Sequence, residues 1–281
     1  MNALILSSII LGCAAQDLLR KVFANKRGSH GAFFYAAIST FFALLFFAAG
    51  GIGRGPLGLL PYALAFGLSY GVAGFCAVWA VGCGPLSLTS LMISYSLMLP
   101  TLYGLIFLKD PMGKGFIAGL LLLVLSLWLV SKKDEKVEFS FRWVILTFFA
   151  FLGNGGCSIF QKMQQVAFEG DYKNELMVLA LGIALPILLG IALISEKGEW
   201  KENFKAGTLP AALAGLANGV VNLLVMILSG RMAVSVMFPL ISAGGLMVVF
   251  FISRFIFKEN LTKRQMLGFF FGMGSIVLLS I

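Results

Sequence analysis

The chain says one thing twice, and that limits its fold more than any other feature. Phe107-Leu108-Lys109-Asp110-Pro111, followed by Lys114 and Gly119, closes one apolar run and opens the next. The same order returns as Ile256-Phe257-Lys258-Glu259-Asn260, with Lys263 and Gly268. Upstream, Pro61, Ala63, Leu64 and Ala65 recur as Pro210, Ala212, Leu213 and Ala214, and Gly12 and Lys21 recur as Gly153 and Lys162. An internal duplication governs how everything else is read.

The duplicated unit is made of runs that meet or approach the ~20 apolar residues a spanning helix needs. They lie at about 3–23, 31–49, 57–80, 86–108, 115–131, 143–166, 176–195, 207–229, 233–256 and 265–281. Charged residues are only 12% of the chain, about half the share of a soluble domain. The net charge of +9 sits in the connectors, where membrane topology uses it, so nucleic-acid binding is excluded. The first run has no basic residue before it and no small-residue cleavage site after it, so it reads as a membrane helix and not as a signal peptide.

The expected fold is an all-α membrane protein of ten transmembrane helices. Residues 1–131 form one five-helix repeat, 132–142 a charged linker beginning Lys132-Lys133-Asp134-Glu135-Lys136, and 143–281 a second repeat. Five is odd, so tandem copies enter the membrane from opposite sides and become inverted repeats. Secondary transporters are commonly built this way, with the substrate at the repeat interface.

This layout, with the acid-containing turn Lys258-Glu259-Asn260-Leu261-Thr262 before the tenth helix, resembles EamA-type members of the drug/metabolite transporter superfamily. The first copy departs from the pattern, with Asp110-Pro111, and the intrahelical prolines Pro100 and Pro239 do not correspond. The resemblance implies a carrier in the plasma (inner) membrane. It also implies a cavity surrounded by the first, third, fourth, sixth, eighth and ninth helices.

Polar side chains inside hydrocarbon are expensive, so their spacing is informative. Asn154, Ser158, Gln161 and Gln165 share one face of the sixth helix, and Asn218, Asn222 and Ser229 share a face of the eighth. The fourth helix adds Ser87, Ser90, Ser94 and Thr101, with Tyr95 adjacent. Such faces either line an aqueous cavity or bond packed helices together. The expected substrate contacts are Asn154, Ser158, Gln161, Asn218, Asn222, Ser94 and Tyr95. In the first helix, Asp17 lies about 21 Å along the axis from Ala3 at ~1.5 Å per residue. It is either a coupling carboxylate or the partner of Arg20 and Lys21.

Other chemistry has no motif. Gly113-Lys114-Gly115 lacks the rest of a phosphate loop, no H-E-x-x-H or G-x-S-x-G occurs, and the single His30 is in a connector. Cys13, Cys76, Cys83 and Cys157 lack metal-ligand spacing and read as small buried residues. No cofactor, metal or catalytic activity is expected. Gly67/Gly71, Gly115/Gly119 and Gly268/Gly272 are close-approach pairs, the last a candidate homodimer face on the tenth helix.

These readings converge on a carrier that moves a small polar organic metabolite by alternating access. The alternatives are a proton-coupled exporter of organic cations using Asp17 and, more remotely, a membrane-embedded lipid-modifying enzyme. Orientation sets two arguments against each other. The resemblance implies cytoplasmic termini. Connectors after odd-numbered runs, however, carry most of the basic residues, among them Lys26, Arg27, Lys197, Lys201, Lys205 and Lys263, which places the termini outside. A C-terminal reporter that fluoresces only in the cytoplasm is therefore expected to stay dark, while one active only outside responds. Strong cytoplasmic fluorescence would reverse the assignment.

Overall fold

A peptide group in hydrocarbon must find its hydrogen bond within its own segment, so apolar runs of this length become helices. The computed structural model describes residues 2–28, 30–51, 53, 55–110, 113–131, 140–258 and 262–279, and no strand occurs among them. The helices are α1 (Asn2–Arg27), α2 (Ala32–Ala49), α3 (Leu60–Cys83), α4 (Leu86–Ser94), α5 (Met98–Phe107), α6 (Phe116–Ser131), α7 (Phe141–Ala167), α8 (Lys173–Ser195), α9 (Trp200–Ser229), α10 (Val234–Phe251) and α11 (Lys263–Leu279). Among the described residues, eight helical segments are long and apolar enough to cross a membrane. Two further helices, α6 and α11, have 16 and 17 residues and pack on each other. The linker residues Lys132, Lys133, Asp134, Glu135 and Lys136, and Pro111, Glu259, Asn260 and Leu261 of the repeated turns, lie outside the described residues.

The fourth run forms one helical span, as expected, but it tightens into a 3-10 turn at Tyr95–Leu97 between α4 and α5. Pro100 has no N–H to give the Ser96 carbonyl one turn earlier, which favours a departure from the α-helix there. The ninth run stays continuous but widens into a π turn at Ile252–Ile256. The connector expected at 196–206 is also shorter, because α9 already begins at Trp200.

Several helix pairings of the first five runs have counterparts in the last five. α3 packs on α7 as α1 packs on α9, and α2 on α9 as α3 on α8. α10 packs on α1 as α4 and α5 pack on α7. The pairs α2–α8, α5–α10 and α6–α11 are their own counterparts. Exchanging the first five runs for the last five maps this set onto itself. The glycines follow the same rule. A Cβ on Gly12 of α1 would come 2.5 Å from Val221 of α9, and one on Gly153 of α7 would come 2.7 Å from the Ser69 carbonyl of α3. The duplicated turns agree too: Lys109 has φ 57° and Lys258 has φ 51°, a left-handed conformation that costs most residues about 1–2 kcal/mol. After the first of these turns, Asp110 accepts from the Ser235 amide at 3.2 Å. The acid of one half thus sits at the N-terminus of α10 in the other, where an anion is favoured.

Polar groups at the connectors hold the ends of α1, α2, α8 and α9 together. The Arg27 guanidinium, mostly buried, donates to Glu199 at 2.6 Å, to Asn203 at 2.8 Å and to Glu202. Glu196 accepts from the amides of Phe33 and Phe34 at 2.9 and 3.0 Å, capping α2 from the far half of the chain. Burial pushes the Glu196 carboxyl above its ordinary value, and the two amides oppose that shift.

The glycine contacts make a testable distinction. Gly153→Ala drives a methyl group against rigid backbone and is expected to cost about 1–3 kcal/mol, lowering the detergent unfolding temperature. Gly182→Ala, with nothing within 4 Å, is expected to be neutral or stabilising. Equal effects would mean that the α3–α7 approach does not depend on Gly153.

Candidate functional site

A cavity of ≈ 190 Å³ lies among α1, α2, α3, α4, α7, α9 and α10, far larger than the ~10–15 Å³ one water needs. Asn154, Ser158, Gln161, Asn218, Asn222 and Ser94 line it, as do Asp17 and Arg20. Gln165 does not; it is buried against Gln164. Of the helices expected around the cavity all contribute, and α2 adds Tyr35, Ser39 and Thr40.

The amides form a directed chain. Gln161 Nε2 donates to Asn222 Oδ1 at 2.9 Å, and Asn222 Nδ2 donates to Asn218 Oδ1 at 3.0 Å. Asn218 Nδ2 donates to Gln16 Oε1 at 2.9 Å, and Gln16 Nε2 reaches the Gly12 carbonyl at 3.3 Å. Tyr70 adds a donor, its hydroxyl bonding Asn218 Oδ1 at 3.0 Å. The chain runs from α7 through α9 to α1, so it joins the two halves. Asn218 is its node, with three side chains using its amide. Asn154 turns away from this chain and donates to Ser96 Oγ at 2.7 Å, at the α4–α5 turn.

The charged pair lies beside the amides. Arg20 Nη1 is 2.6 Å from Asp17 Oδ1, and Ser90 Oγ donates to Asp17 Oδ2 at 2.9 Å. Both carboxylate oxygens are therefore engaged. These are the only two formally charged side chains among the described lining residues, so the cavity carries no net charge when both are ionised.

Tyr95 is placed otherwise than expected. It does not line the cavity. Its hydroxyl meets Ser126 Oγ at 2.7 Å, and Ser126 donates to the Gly268 carbonyl at 2.6 Å. At ~3.6 residues per turn Tyr95 lies about 100° around the helix from Ser94, off the face shared by Ser90 and Ser94. The same contacts occupy the tenth-run glycine pair: a Cβ on Gly272 would lie 2.6 Å from the Tyr95 hydroxyl. That glycine face packs inside the chain. Ser229 and Thr101 likewise bond carbonyls of their own helices.

Sequence reasoning missed Gln16, Tyr35, Ser39, Thr40 and Tyr70. Their one available signal was a polar group inside an apolar run. None belongs to a stripe long enough to stand out.

No protein-family model matches the chain, and no curated protein matches it. Its fold does have solved relatives. One crystal structure, described only as that of a protein, aligns over 99% of this chain and 95% of its own, with a TM-score of 0.66 and 14% sequence identity. At that identity the likeness shows the fold alone. Fold and apolar helices together define an all-α, multi-pass integral membrane protein.

The node position of Asn218 can be measured. Asn218→Ala is expected to lower stability by about 1–3 kcal/mol, because partners on α1, α3 and α9 lose their bonds. Combined with Gln16→Ala, the loss should fall short of the sum, since both changes remove the same bond. Strict additivity in thermal unfolding would show that Gln16 and Asn218 are not coupled.

Proposed function

We propose that the protein is a secondary carrier for a small polar organic metabolite, uncharged or zwitterionic, working by alternating access. The observation that carries this reading is the cavity, lined by Asn154, Gln161, Asn218 and Asn222 of the second half and by Gln16, Tyr70 and Ser94 of the first. Amide groups offer donors and acceptors without a fixed charge, which suits a solute that must bind and then leave. The reading includes ten transmembrane helices arranged as two inverted five-helix repeats, in the plasma (inner) membrane. The counterpart helix pairings, the paired glycines Gly12 and Gly153, and the left-handed Lys109 and Lys258 support that arrangement. Inverted repeats give such a carrier two nearly equal packings, one open to each side.

Proton-coupled export of organic cations through Asp17 is the weaker reading. Arg20 already balances the charge of that carboxylate, and Ser90 bonds its second oxygen, so a lone organic cation would leave the cavity with a net positive charge.

Proteoliposomes loaded with a mixed pool of unlabelled metabolites test the proposal. Saturable uptake of a labelled polar solute with counterflow is expected, and Asn222→Ala should reduce it roughly tenfold or more, the equivalent of one lost hydrogen bond. Uptake that never saturates would make the protein a channel, and no exchange of any solute would end the carrier reading.

A further inference from the structure

The two ends of the cavity differ in how their hydrogen bonds are matched. In the amide chain, donors and acceptors are paired head to tail from Gln161 to Gly12. At the charged end, donors exceed acceptors. Asp17 has both oxygens engaged. Arg20 carries five N–H donors in a fixed fork, and among the described residues only its Nη1 is bonded, to Asp17. Its side chain keeps 21% of its surface exposed and lines the cavity.

Tyr35 adds a second donor at this end. The residue is 2% exposed, lines the same cavity and packs its ring on Phe23 at 4.9 Å, one helical turn from Arg20. Its hydroxyl is buried and has no hydrogen-bond partner among the described residues. A buried hydroxyl left unsatisfied is costly, and an aliphatic or phenyl side chain would fill the same volume without that cost. An orphaned donor that lines the same cavity as a half-used guanidinium calls for an acceptor with two oxygens. A carboxylate matches the Arg fork in geometry as well as charge.

Charge then restricts the rest of the ligand. Asp17 and Arg20 cancel, so a bare carboxylate would leave the cavity with one net negative charge in a low-dielectric surround, which is expensive. A ligand that brings its own cationic group keeps the site neutral, with that group facing the Asp17 carboxylate. The spacing of Asp17 and Arg20, adjacent turns of α1, admits only a short separation between the two ligand charges. Resting on the carrier reading above, we propose that the Asp17–Arg20–Tyr35 end of the cavity binds a small zwitterion. Arg20 and Tyr35 take its carboxylate, Asp17 faces its ammonium, and the neutral remainder of the molecule meets the amide chain.

The test uses the full chain purified in detergent and a panel of free amino acids of α and γ type. Each is paired with its C-terminal amide, which keeps the ammonium but lacks the carboxylate. A ligand that binds only the folded state raises the unfolding temperature, and isothermal calorimetry gives its affinity. Some zwitterions are expected to stabilise the protein while their amides do not. Tyr35→Phe is expected to weaken the bound zwitterion about tenfold or more, the usual size of one hydrogen bond to a charged group. The unliganded Tyr35→Phe protein should be as stable as the parent or more so, because its hydroxyl has no partner to lose. Equal binding of zwitterion and amide would overturn the proposal. So would unchanged affinity in Tyr35→Phe, a fall in its unliganded stability, or a complete lack of binding across the panel. Counterflow of labelled solutes separates this outcome from the carrier reading: exchange of a neutral polyol or a cation with no zwitterion binding sinks the zwitterion site alone, while no exchange of any solute sinks both.

Discussion

Everything in this molecule follows from the need of a peptide group in hydrocarbon to be hydrogen-bonded within its own segment. Helices satisfy that need, so any place where the helix is interrupted has a specific local cause. Pro100 leaves a carbonyl without its amide, and the chain tightens into a 3-10 turn at Tyr95–Leu97. The turn makes contacts on both sides: Tyr95 meets Ser126 of α6, and Ser96 accepts from Asn154 of α7.

With backbone needs met locally, the arrangement of helices depends on how closely they approach. Lipid tails are as apolar as leucine, so burial alone does not choose between partners. Small residues do. Gly153 brings α7 against the backbone of α3, Gly67 brings α3 to the Ala180 carbonyl of α8, and Gly12 brings α1 to Val221 of α9. These contacts join one half of the chain to the other. Large apolar side chains such as Ile117, Leu121, Phe255 and Phe270 are left exposed on the outside, where lipid covers them.

The polar groups then occupy what the close contacts leave open. Gln161, Asn222, Asn218 and Gln16 come from three helices and satisfy one another, while Asp17 is held by Arg20 and Ser90. In a medium of low dielectric such bonds are stronger than in water, and an unmade one costs more. That asymmetry is why the Tyr35 hydroxyl, unpaired among the described residues, carries meaning that an exposed tyrosine would not.

Much of this was legible in one dimension. Run length and low charge determined a helical membrane protein. The period of 3.6 residues put Asn154, Ser158 and Gln161 on one face and Asn218 and Asn222 on another, and both faces line one cavity. The repeat Lys109/Lys258 marked two turns with the same left-handed backbone. What the sequence could not decide is which face meets which. Helical periodicity orders residues around their own axis and carries no information about neighbours. Tyr95 looked adjacent to the polar face of its run, but it lies on another side of that helix, against Ser126 of α6. Gln16, Tyr35 and Tyr70 looked like isolated polar residues, and only the packing of α1 and α2 on α9 and of α3 on α7 brought them to the cavity. The choice between Asp17 as a free carboxylate and as an ion pair was likewise a matter of tertiary structure, because Ser90 had to arrive from α4 to hold the second oxygen.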